Sequence, residues 1–83
     1  MFTVAALYHF TRFADPAAHQ EPLRAACLSN RVTGTLLLAP EGINGTIAGP
    51  EAGITAVLDI LRALPGCAAL GWKLSTATTR PFA

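Results

Sequence analysis

Charge is what this chain has least of. Only 13% of its 83 residues are Asp, Glu, Lys or Arg, well below the ~25% common in soluble domains. The net charge is +1, whereas a domain that grips nucleic acid unaided carries a plainly basic excess. The balance is also too weak, and the chain too apolar, for intrinsic disorder. Long apolar runs are missing as well: no stretch approaches the ~18–20 residues of a membrane span. The opening "MFTVAALYHFTRF" has no basic region ahead of an apolar one, so it does not read as a secretory leader. Cys27 and Cys67 share no short spacing, which excludes a CxxC redox or zinc motif. His9 and His19 are joined by no third ligand pattern, so no metal or cofactor is expected. These absences point to a cytoplasmic protein with buried, inert thiols.

What is present is apolar. The 52% of hydrophobic residues meets or exceeds the usual ~45–50%, and a domain this small buries only ~60–65% of its unfolded surface. Part of that apolar surface is therefore expected to be covered by another domain or a second copy.

"FTVAALYHF" has the β-branched and aromatic content of a strand. Val4, Ala6, Tyr8 and Phe10 lie on one face, and Ala5, Leu7 and His9 on the other. Both faces are largely apolar, which predicts an interior strand. Asp15-Pro16 reads as a helix start with Asp15 as the cap. Pro22 then implies a short turn over 16–20 and a main helix from about Pro22, ending near Asn30 in a left-handed conformation. "TGTLLLA" and "GTIAG" read as two further strands. Pro50 opens a second helix, with Glu51 at its positive end and Ile54, Val57, Leu58 and Leu61 on one face. Pro65-Gly66 stops it, and "GWKLST" is a last strand. Strand, helix, strand, strand, helix, strand is the ferredoxin-like α+β pattern, a four-stranded antiparallel sheet with two helices on one face. Residues 1–78 make this domain. The tail from 79 to 83 has no partner element and reads as the start of a linker to a missing domain.

"APEGINGTIAGP", residues 39 to 50, carries three glycines and two prolines. It lacks the GK[ST] ending of a phosphate loop, and "GING" between strands is not the helix-flanked GxxG clamp of KH domains. It is expected to be a hairpin loop of about five residues, with Pro40 closing the ladder, Gly42 and Gly45 at positive φ, and Asn44 tolerating it. Successive N–H groups in such a loop form a nest for a small anion. An acylphosphatase site would need glycines in "HFTRFADPA" beside Arg12, and they are absent. An RNA-recognition platform would need aromatics on two central strands; Tyr8 and Phe10 supply only one.

"VAALYHF", "PL…C" and "GTLLLAPEGINGTIAG" closely resemble the N-terminal, acylphosphatase-like domain of the UPF0176 rhodanese-related tRNA uridine hydroxylases. The resemblance runs from Val4 to about Phe82. His9 stands where lysine is more usual, and Asn30 where glycine is. The family places an oxygen on C5 of the wobble uridine in an oxygen-dependent tRNA modification. Its catalytic cysteine lies in the following rhodanese-like domain, so neither Cys27 nor Cys67 inherits that role. The resemblance implies an accessory domain, inactive alone, that packs on the rhodanese-like domain of the same full-length protein and contacts tRNA weakly. Glu41, Gly42, Asn44 and Gly45 are the expected partner or substrate contacts, with Arg12, Arg31 and Arg80 near phosphates. The alternative is a freestanding ferredoxin-like module that dimerises through its open sheet face and binds a small anion.

Overall fold

The protein was described from a computed structural model, in which residues 2–78 are described. The expected linker at 79–83, with Arg80, lies outside them. Strand β1 (Phe2–Phe10) is followed by a 3-10 turn (Pro16–His19), helix α1 (Gln20–Ser29), strands β2 (Thr33–Ala39) and β3 (Gly42–Gly49), helix α2 (Glu51–Arg62) and strand β4 (Gly71–Ala77). The strands form one antiparallel sheet in the order β2-β3-β1-β4, so β1 and β3 are interior. This is the expected ferredoxin-like α+β fold.

Its core lies between one sheet face and the two helices. Alternation turns Ala5 and Leu7 of β1 and Ile43 and Ile47 of β3 to the helices. There they meet Leu23 of α1 and Ile54, Val57, Leu58 and Leu61 of α2, all at most 5% exposed. The α2 stripe is the one its 3.6-residue period predicts. Arg62 fixes the chain leaving α2. Its Nε and Nη2 donate to the Leu70 carbonyl at 3.1 and 2.9 Å, and its guanidinium lies 4.2 Å from the Trp72 ring centre. At the far end of β1, His9 Nε2 donates to the Gly66 carbonyl at 2.8 Å.

Helix α1 differs from expectation at both ends. It begins at Gln20, two residues before Pro22. Pro22 sits in the first turn, where a backbone N–H has no intrahelical acceptor to lose. Asp15 makes no side-chain cap; instead its carbonyl accepts the Ala18 N–H at 3.2 Å. At the other end the left-handed residue is Arg31, with φ 60°, not Asn30. Asn30 stays near helical because its N–H and Nδ2 both donate back to the Ala26 carbonyl. Arg31 N–H then donates to Leu28 O at 3.3 Å and Val32 N–H to Cys27 O at 2.8 Å, the paired bonds of a Schellman closure. The turn falls one residue late, and Val32 enters the core.

Two substitutions test these ends. Arg31→Gly removes the left-handed penalty of an L-residue and should stabilise the fold by about 0.5–1 kcal/mol. Gly53→Ala improves helix propensity, yet its Cβ would collide with the Asn30 carbonyl oxygen, where α1 meets α2. It should destabilise by about 1–3 kcal/mol. Urea denaturation of both variants checks the opposite signs.

Candidate functional site

The glycine-rich block is strand where a loop was expected. β2 ends at Ala39 and β3 begins at Gly42, so the hairpin turn is Pro40-Glu41 alone. Gly42, Asn44 and Gly45 pair on both sides: Gly42 with Phe10 and Ala39, Asn44 with Tyr8 and Leu37, Gly45 with Leu7 and Leu36. Their backbone amides belong to an interior strand, so the anion nest expected of a longer loop has lost its donors. Gly42 and Gly45 do take positive φ, 154° and 156°. A side chain at Gly45 would collide with the Thr35 carbonyl oxygen, and one at Gly42 with that of His9. Close approach of neighbouring strands is what these glycines permit.

The segment after β1 is equally occupied. Thr11 N–H donates to Glu41 O at 3.1 Å and Phe13 N–H to Pro40 O at 3.0 Å. Phe13 is 3% exposed. Two of the amides an acylphosphatase-type cradle would use are thus bonded to the hairpin turn, and Arg12 stands exposed beside it.

The sheet face away from the helices carries the unexplained chemistry. Register places Gly71, Tyr8, Asn44 and Leu37 in one row across it. Phe10, Gly42 and Ala39 form the row above; Lys73, Ala6, Thr46 and Thr35 form the row below. Tyr8, Phe10 and Leu37 are 65%, 75% and 59% exposed, and the two rings meet edge to face at 5.4 Å. Burying side chains of this size is worth about 1.5–3 kcal/mol each, so the face holds binding free energy that this domain does not use.

Of the residues expected to make contacts, the structure brings Arg12, Glu41 and Gly42 together at one end of the sheet and sets Asn44 beside Tyr8 on the open face. Gly45 belongs to the helix side. Arg31 is at the opposite end, before β2. Leu37 was missed; its alternation with Leu36 and Leu38 in "TGTLLLA" was the available signal. A groove of about 750 Å³ between α1 and β2 is lined by Leu23, Cys27, Leu36 and Leu38 and carries no cluster of reactive groups. Among the described residues, no group of three or more His, Cys, Asp or Glu side chains could hold a metal ion, and no helix is long and apolar enough to cross a membrane. Both cysteines are free, and burial pushes both thiols above their ordinary value.

The described residues thus form an antiparallel ferredoxin-like α+β sheet with both helices on one face and exposed aromatic rings on the other. The family model for the UPF0176 acylphosphatase-like domain matches residues 2–83, and the chain belongs to that family. It is 67% identical over 82 residues to a tRNA uridine(34) hydroxylase of Jannaschia sp., covering 99% of this chain and 27% of that protein. Proteins of the same name from Roseobacter denitrificans and Caulobacter vibrioides are each 64% identical, covering 88% and 98% of this chain and 25% and 26% of theirs. The chain thus spans about a quarter of the length of these relatives.

The thiols give a pH prediction. Their folded pKa values lie above the unfolded value of 9.0, so the stability they contribute is complete below that pH and is lost as pH rises through the folded values. Stability should fall above pH 9 less steeply in a Cys27→Ala, Cys67→Ala variant, and native Cys67, fully buried, should react with iodoacetamide only on unfolding.

Proposed function

We propose that this chain is the accessory N-terminal domain of a tRNA uridine(34) hydroxylase of the rhodanese-related type. In this reading the full-length, cytoplasmic protein hydroxylates the wobble uridine, with its catalytic cysteine in a rhodanese-like domain beyond residue 83 and the tail from 79 as the linker. The 67% identity to the Jannaschia protein, over 99% of this chain, carries the reading. The half-buried Cys27 and buried Cys67, both with raised thiol pKa, support assigning the chemistry elsewhere. The domain is inactive alone and acts by shape. Asn44, on the open face, contacts the neighbouring domain or substrate. Arg12, beside the Pro40-Glu41 turn, adds a weak phosphate contact, as do Arg31 and Arg80.

The freestanding anion-binding module is the weaker reading. The relatives are about four times longer than this chain, and the amides of the proposed nest are occupied by the sheet.

Asn44→Ala in the full-length protein should lower hydroxylation of the wobble uridine, read by mass spectrometry of tRNA from cells carrying the variant. Arg12→Ala should weaken tRNA binding modestly, with a salt slope smaller by about one. Unchanged modification with Asn44→Ala would remove that residue from the function.

A further inference from the structure

We propose that the open sheet face centred on Tyr8, Phe10, Asn44 and Leu37 is the seat of a second domain of the same polypeptide, which covers it with an apolar and largely uncharged surface. This rests on the reading of the chain as one domain of a longer enzyme, and it names the surface and the occupant.

The face has the make-up of an interface core. Its anchors are two aromatic rings and a leucine, the residue types that dominate binding where water is excluded. Neighbours that would bury the rings inside the domain are missing: Gly42 lies opposite Phe10 and Gly71 opposite Tyr8. The rings therefore stand clear of the sheet. Over β3 the surface drops to Gly42, Asn44 and Thr46, leaving a trough between the rings on β1 and Leu37 on β2. The Asn44 side chain has no hydrogen-bond partner among the described residues, and in the floor of that trough it can fix the register of whatever enters.

Charge selects the class of occupant. Lys73 is the one charged side chain among those facing outward from the four strands, with Arg12 at the rim. A nucleic-acid backbone calls for several cations on such a surface, whereas a protein interface core is depleted in charge. Length selects among proteins. The relatives carry about three quarters of their residues outside this region, and a tethered domain meets the face at high effective concentration, which a second copy does not.

Hydroxyl-radical footprinting of the full-length protein, without tRNA and at two protein concentrations, tests this directly. Tyr8 and Phe10 should be modified about ten-fold more slowly than in the same protein unfolded in urea, equally at both concentrations. Rates close to the unfolded ones would overturn the proposal. Protection that grows with protein concentration would assign the face to a second copy, and protection that appears only with added tRNA would assign it to RNA; each also overturns it. As a second measurement, replacing Tyr8→Ser and Phe10→Ser together should speed limited proteolysis between the domains several-fold, and an unchanged rate counts against the proposal. Neither readout depends on catalysis. Protected rings in a protein that leaves uridine 34 unmodified would refute the enzymatic reading while the packing stands.

Discussion

The structure depends on one layer of contact: the helix-facing side chains of β1 and β3 against the buried stripe of α2 and Leu23 of α1. Most of the core is hidden there, and Phe13, Val32, Cys67 and Leu70 join it from the connecting segments. Ala5, Leu7, Ile43 and Ile47 reach it because strand side chains alternate with a period of two, and the same alternation commits Tyr8, Phe10, Asn44 and Thr46 to the opposite side. With both helices on one face, no described element covers the second. The exposed rings are thus a geometric consequence of a well-packed core.

Where residue type and period agreed, the sequence was legible. β1 and β2 run over the residues expected of them, and α2 buries Ile54, Val57, Leu58 and Leu61 as its spacing requires. The errors arose where local chemistry and tertiary context pull apart. Proline and glycine density around "PEGING" reads as a loop because those residues serve turns. Yet Gly42 and Gly45 are there because the carbonyls of His9 and Thr35 on neighbouring strands come too close for a Cβ, and no local pattern announces a cross-strand approach. Asn30 is the better left-handed residue by propensity, but the turn falls on Arg31 because Val32 must reach the core. Pro22 looked like a boundary and is an ordinary first-turn residue.

The candidate site was legible only in part, for the same reason. Asn44 was singled out as a loop amide; it is a strand residue whose neighbours, Tyr8 and Leu37, are set by register. Tyr8 and Phe10 had been weighed as half of an RNA platform. The structure places them together and shows why the other half is absent: beside them β3 carries Gly42, Asn44 and Thr46, which offer no ring to stack a base.

The distribution of hydrogen bonds shows which groups of the described domain are already committed. A site for an anion needs amides that point at solvent, and a nucleophile needs a thiol with depressed pKa. Pairing on both sides occupies the amides of β3, and the turn carbonyls hold two amides of the segment after β1. Burial moves both thiols the wrong way for attack. The bonds that order the sheet and the turn are the ones that occupy these amides. What remains available is surface: a rigid sheet that presents two rings, a leucine and one amide in fixed register. Rigidity of that kind lowers the ordering cost of association, so the bonding that commits these amides also lets the sheet present its outer side chains in fixed register.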